Sequence, residues 1–235
     1  MKRMLSFDLD GTLVDTAAEI ADAVNRTLAD FAIDARPLAE IEALIGDGAH
    51  ALMRRLIARV AAEGSAPARA ANVEQVFARL DHHYGQTAGT TAQPYAGCRA
   101  TLDRLRANGV RLACVTNKEF VHARRVLEAT GLADAFDLIV GGDSLPWKKP
   151  HAAVLTHVLA RLETSAERAA HIGDSQTDVE AARNAGIAAW AVPYGYNAGR
   201  AIADAAPERI FATLPEVADH VLAAYHLNYH PHSES

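Results

Sequence analysis

The chain has 235 residues, 50% of them hydrophobic, and a formal net charge of −6. That is enough apolar material for one large core or for a core plus a smaller inserted domain, and it excludes general disorder. The acidic balance argues against a nucleic-acid partner or a polybasic membrane-surface protein, but leaves room for a local basic site that handles a small anion.

Two cysteines, Cys98 and Cys114, make no disulfide framework; "RLACVTNK" places Cys114 in a buried strand, and a reduced thiol is expected. "MKRMLSFDLDG" puts acids where the apolar region of a signal peptide would continue, and no apolar run approaches membrane-spanning length. A cytoplasmic location with no membrane partner is therefore expected.

The first element is an apolar strand in "MLSFDLDGTLVDT", residues 4–16, which runs into Asp8 and Asp10 and turns at Gly11-Thr12. Residues 16–31 read as an amphipathic helix with Ile20, Val24, Leu28 and Phe31 on one face. The pattern repeats over 48–63 through Leu52, Leu56, Ile57 and Val60, and over about 70–84 through Val73, Val76, Phe77, Leu80 and Tyr84. No strand is expected between 16 and 88. "GQTAGTTAQPYAG", residues 85–97, reads as a linker.

Beyond it, helices alternate with short β-branched runs. Helices are predicted over 98–108, 119–130, 151–161 and 177–184. Strands are predicted over 110–116, 137–142, 169–174 and 188–192, with a weaker one at 209–212. Such alternation means βαβ units and a parallel sheet covered by helices. The predicted fold class is α/β: a doubly wound parallel sheet, residues 1–15 and 90–235, with a helical cap, residues 16–89, inserted after the first strand. His226, His230 and His232 in the polar tail read as a frayed terminus rather than a metal site.

Neighbouring carboxylates repel each other and cost desolvation when buried, so packing gives no reason for Asp8 and Asp10. In an open parallel sheet, ligands bind beyond the C-terminal strand ends. Four such ends carry polar residues: Asp8 and Asp10; Thr116-Asn117-Lys118; Lys149; and Gly173-Asp174-Ser175 with Asp178. Asp8 and Asp10 share a face of an extended segment, and Asp174 completes a hard oxygen cluster suited to Mg²⁺. Lys149 and Thr116 suit the non-bridging oxygens of a phosphoryl group. One carboxylate can then attack phosphorus while the other handles protons.

Each piece has a plainer reading in isolation: a turn with a helix cap at 173–175, a strand-end cap at 116–117, a solvated pair at Lys148-Lys149. Their placement at successive strand ends favours a site. A calcium loop starting at Asp8 is disfavoured by Leu13, which stands where the loop requires glycine.

These residues resemble the haloacid dehalogenase superfamily. "DLDGTLVDT", "VTN", "KKP" and "GDSQTD" are similar to its four motifs, over essentially the whole chain. The resemblance implies Asp8 as nucleophile, Asp10 as acid/base, Thr116 and Asn117 as phosphate binders and Lys149 as the charge-neutralising lysine. It implies Asp8, Asp174 and the Asp10 main-chain carbonyl as magnesium ligands, with Asp178 behind them. "TNK", "GGDSLPWKKP", "IGDSQTDVEAARNAG", "PYGYN" and the cap stretch "IGDGAHALMRRL" are similar to phosphoglycolate phosphatases. The implied function is Mg²⁺-dependent hydrolysis of a small phosphorylated metabolite, 2-phosphoglycolate first.

Asp47 departs from that pattern, where asparagine is expected, as does His151 after the lysine-proline motif. An acid near an anionic substrate is unfavourable unless it points away or caps the following helix. Lys118 is expected at the cleft and Arg55 is assigned to a substrate carboxylate, with solvated faces as the plainer reading of both. "YGYN" fits either the site or loop packing, and His122, His157 and His171 read as structural. The alternatives are a phosphatase for another small sugar or sugar-acid phosphate, a phosphomutase, and a non-catalytic binding protein of the same fold. A monomer and a homodimer both remain open.

Overall fold

The computed structural model describes residues 3–227, with side chains through Ala223. The chain opens with β1 (Met4–Phe7) and a two-residue strand β2 (Val14–Asp15). Five helices follow: α1 (Ala17–Asp30), α2 (Leu38–Glu42), α3 (Ala49–Ala62), α4 (Ala66–Ala70) and α5 (Val73–Thr87). The chain returns through β3 (Gln93–Pro94) and continues as α6 (Cys98–Ala107), β4 (Arg111–Val115), α7 (Phe120–Ala129) and β5 (Leu138–Val140). It ends with α8 (Ala152–Arg161), β6 (Ala169–Gly173), α9 (Gln176–Asn184), β7 (Ala188–Ala191), β8 (Arg209–Ile210) and α10 (Leu214–Leu227).

Six strands form one parallel sheet in the order β5-β4-β1-β6-β7-β8. Helices cover both faces, so β1 is buried along its whole length and its sequence shows no alternation. One apolar layer joins Leu5 and Phe7 to Leu102, Leu105, Val126, Leu127 and Val217, from α6, α7 and α10. The other joins Met4, Ala113 and Val115 to Val154, Val158, Val179 and Ala182, from α8 and α9. A third cluster is drawn from residues 20–84 alone, with Ile20, Val24 and Leu28 of α1 meeting Leu52, Leu56, Leu80 and Tyr84. The i, i+4, i+8 spacing on α1 puts these three on one stripe, and each such buried side chain contributes roughly 1.5–3 kcal/mol.

The structure differs from the sequence expectation in three places. A helix, α10, occupies 214–227, where the sequence reading expects no element; Leu214, Val217, Ala218 and Val221 repeat at helical spacing and are buried. The linker pairs with the chain leaving the core, as β2 and β3 lie antiparallel with Val14 opposite Pro94. Two short helices, α2 and α4, punctuate the helical segment. No helix among the described residues is long and apolar enough to cross a membrane. His226, His230 and His232 lie outside the residues whose side chains are described.

Candidate active site

Strand register builds the site. Phe7 is level with Cys114 of β4 on one side and Ile172 of β6 on the other. The residues just beyond these positions therefore leave the sheet together: Asp8, Thr116 and Asp174. Main-chain bonds extend the ladder into this edge, from Asp8 N to Ile172 O at 2.9 Å and from Thr116 N to Val140 O at 3.0 Å.

Oxygens of Asp8, Asp174 and Asp178, all buried, lie within 4.8 Å of one another. Lys149 enters from the loop after β5, its ammonium 2.8 Å from Asp8 Oδ1 and 2.6 Å from Asp178 Oδ1. Asp8 Oδ1 is buried and has this ion pair with Lys149 but no further hydrogen-bond partner among the described residues. Asp178, in contrast, is saturated. Beyond Lys149 it is 3.1 Å from His171 Nε2, and its Oδ2 accepts from the Ser175 hydroxyl at 2.6 Å and main chain at 3.2 Å. His171 Nδ1 in turn lies 2.9 Å from Ser6 Oγ, so this histidine braces the buried pair.

Burial pushes the Asp8 carboxyl up, to about 6, against the pull of Lys149. Burial also drives Asp174 well above the ordinary carboxylate range, with Asp178 and Asp8 adding to it. For Asp178, burial acts upward too, but Lys149 and His171 outweigh it and hold the group ionised. Lys149 shows the converse: burial works against its charge, and Asp178 and Asp8 more than restore it. Three carboxylates thus face one ammonium. A divalent cation would offset the remaining negative charge, and Asp8 Oδ1, which has Lys149 beside it but no further donor, fits that need.

Gly11 shapes the turn. It sits at φ +85°, and a Cβ there would lie 2.5 Å from Asp174 Oδ2. Asp174 is fixed by Thr12 Oγ1 at 2.6 Å and by the main-chain N–H of Tyr196 at 2.5 Å. The Asp10 carboxylate stands apart from the three-acid group. Its Oδ1 accepts from Lys118 Nζ at 2.5 Å and from Thr16 Oγ1 at 2.6 Å.

Asn117 uses its side chain to tie three segments. Its Oδ1 accepts from Lys149 N at 2.9 Å, and its Nδ2 donates to Lys149 O at 3.0 Å and to Gly46 O at 3.1 Å. The loop before α3 is thereby pressed on the core. Gly48, at φ +91°, permits this approach, since a Cβ there would meet Asn117 O at 2.8 Å. A cavity of about 30 Å³ remains between them, lined by Asp8, Asp10, Thr116 and Lys118 below and by Ile20, Ile45, Leu52 and Tyr84 above.

The structure brings Asp8, Asp10, Thr116, Asn117, Lys118, Lys149 and Asp174 together, but it places Arg55 elsewhere. Arg55 pairs with Asp47 and lines a separate cleft of about 280 Å³ with Ser175, Thr177, Glu180 and Arg200. Asp47 also accepts from Thr177 Oγ1 at 3.3 Å, so its charge is engaged away from the small cavity. The sequence reading gives no phosphoryl-site role to Thr12, Thr16, Tyr84 or Glu19: Thr12 and Glu19 enter it only as positions of the disfavoured calcium loop, and Tyr84 only as part of a helix face. Thr12 and Thr16 belong to the quoted "DLDGTLVDT" stretch, and hydroxyls flanking paired acids are the available signal.

Similarity to known proteins agrees with this geometry. A phosphoglycolate phosphatase of Yersinia pseudotuberculosis is 37% identical over 210 residues, 89% of each chain. A plasmid-encoded phosphoglycolate phosphatase of Cupriavidus necator is 40% identical over 189 residues, 80% of each. The crystal structure of a predicted phosphoglycolate phosphatase from Haemophilus somnus superposes with a TM-score of 0.87 at 29% identity, covering 94% of this chain and 98% of that one. The model of the haloacid dehalogenase-like hydrolase family matches residues 5–192, and the chain belongs to that family.

Proposed function

We propose that the protein is a phosphomonoesterase that dephosphorylates 2-phosphoglycolate through a phosphorylated Asp8. In the first step an Asp8 oxygen bonds to phosphorus, the ester P–O bond breaks, and Asp10 gives a proton to the departing glycolate oxygen. In the second, Asp10 takes a proton from water, the water oxygen attacks phosphorus, and inorganic phosphate leaves with Asp8 regenerated. Thr116 and Lys149 meet the non-bridging oxygens. Asn117 acts by holding Lys149 and the Gly46 loop in place. Asp8, Asp174 and the main-chain carbonyl of Asp10 would hold Mg²⁺, which when bound neutralises charge around the phosphoryl group.

The observation that carries this reading is the convergence of Asp8, Thr116 and Asp174 from three register-matched strand ends on the buried ammonium of Lys149. The choice of substrate is supported by the relatives, which are named phosphoglycolate phosphatases. We assign residues 16–89 the role of a cap that closes over the substrate and excludes bulk water. Arg55 would then act on cap closure through Asp47 rather than on the substrate.

The test is an acid quench during turnover of ³²P-labelled 2-phosphoglycolate. Labelled protein is expected for the wild type and absent for Asp8→Asn. Turnover without any labelled protein, or label retained in Asp8→Asn, overturns the mechanism.

A further inference from the structure

Among the described residues lining the small cavity, Lys118 is the one cation. Its side chain is 1% exposed, and its ammonium sits 5.0 Å from the centroid of the Tyr84 ring. A lysine buried this deeply requires an anion, and here that anion is Asp10, at 2.5 Å. Glu19 stands behind the pair, 1% exposed, with Oε2 accepting from Gly89 N at 2.8 Å and Oε1 unpartnered.

The arrangement is self-limiting, because the carboxyl that must exchange protons with the leaving group is clamped by the ammonium. We propose that Lys118 is the specificity residue for the substrate's own carboxylate, and that this carboxylate takes Lys118 away from Asp10 and so frees the acid/base for the reaction. Thr16 Oγ1, 2.6 Å from the same Asp10 oxygen, keeps the carboxyl oriented once the lysine has left it. The substrate class follows: a short phosphate ester with a carboxylate on the far side of one or two carbons. Asp8 and Lys118 line the same cavity, so an ester with its phosphoryl group at Asp8 would turn its carboxylate toward Lys118, while Ile20, Ile45 and Leu52 make the wall on the side of the helical segment apolar. Recognition and activation are then one event, as interactions realised only along the reaction path raise kcat. This inference rests on the phosphatase reading above.

The test compares kcat/KM for 2-phosphoglycolate and for ethyl phosphate, the same two-carbon ester without the carboxylate, in the wild type, Lys118→Met and Lys118→Arg. The wild type is expected to prefer 2-phosphoglycolate by about 100-fold or more. Lys118→Met should collapse that preference to about fivefold or less, with the 2-phosphoglycolate loss visible in kcat as well as KM, and Lys118→Arg should restore part of it. Equal losses on both esters in Lys118→Met would overturn the proposal, because they would mean that Lys118 only holds Asp10. Equal turnover of the two esters by the wild type would also overturn it, whatever the variants do, while leaving the phosphatase reading intact. If the wild type hydrolyses other phosphomonoesters but neither of these two, the proposed substrate fails first and the role of Lys118 fails with it.

Discussion

Thr177 and Asp47 are joined across the boundary between the core and the helical segment. The Thr177 hydroxyl donates to Asp47 Oδ1 at 3.3 Å, while Arg55 takes Asp47 Oδ2. Both charged partners are nearly half exposed, so the clasp adds little to stability. It does bias the loop 46–48, which forms the roof of the cavity. Asp47→Ala is expected to raise KM by about two- to fivefold and to move the unfolding midpoint by less than about 2 °C. Steady-state kinetics and a thermal melt check both parts, and an unchanged KM would show that the clasp does not bear on closure.

Gly48 makes the complementary case from the backbone. At φ +91°, with Asn117 O only 2.8 Å from where a Cβ would stand, alanine can be accommodated only if the loop lifts. Gly48→Ala should raise KM about tenfold or more while destabilising the fold by about 1–2 kcal/mol. A variant with wild-type KM would mean that the loop need not touch Asn117 during turnover.

Lys149 neutralises a buried acidic group, and its removal leaves Asp8 and Asp178 uncompensated. Lys149→Met is expected to cost about 3–5 kcal/mol in urea unfolding and to abolish phosphate release. A loss below about 1 kcal/mol would contradict the electrostatic reading of the site.

Added Mg²⁺ should stabilise the wild type, because a ligand that binds only the folded state raises the unfolding midpoint. Asp174→Asn removes one of the carboxylates assigned to it. The variant should lose most of the Mg²⁺-induced shift and its activity while remaining folded without metal. An undiminished shift would place the cation elsewhere.

His122 supplies a pH dependence whose sign can be worked out. Burial first, then Lys118 and Arg125, lower its pKa from 6.5 to about 4, and its ring lies 4.6 Å from that of Tyr84. A depressed folded pKa means that the unfolded chain binds the proton more readily. The stability is therefore present above pH 6.5 and is lost as pH falls through about 4, by about 2 kcal/mol once solvent screening is allowed for. Asp8, pushed up to about 6, acts in the opposite sense, losing stability as pH rises from 3.8 through 6 in the metal-free protein. The difference between wild type and His122→Phe isolates the histidine. The variant should lose less stability between pH 6.5 and 4, and parallel curves would contradict the assignment.

The parallel sheet was legible because each strand is a short apolar run between helical periodicities, and the polar residues at 8, 116, 149 and 174 mark where such strands end. Helix α10 shows the same periodicity through Leu214, Val217, Ala218 and Val221, and could have been read by the same rule. Pairings between distant side chains could not. Tyr196, about 180 residues from Asp15, donates its hydroxyl to that carboxylate and its main-chain N–H to Asp174, and neither bond leaves a trace in local pattern. Arg55 illustrates the opposite problem. It lies on α3, and the loop before that helix folds back so that Asp47 takes the charge that its residue type suggested for a substrate carboxylate.

The substrate of this site is decided by kcat/KM for phosphate release with Mg²⁺ across 2-phosphoglycolate, 3-phosphoglycerate, glucose 6-phosphate and β-glucose 1-phosphate. 2-Phosphoglycolate is expected to exceed the others by about 100-fold, or about 2.7 kcal/mol of differential transition-state binding. Similar turnover of all four, or preference for a sugar phosphate, would contradict that expectation.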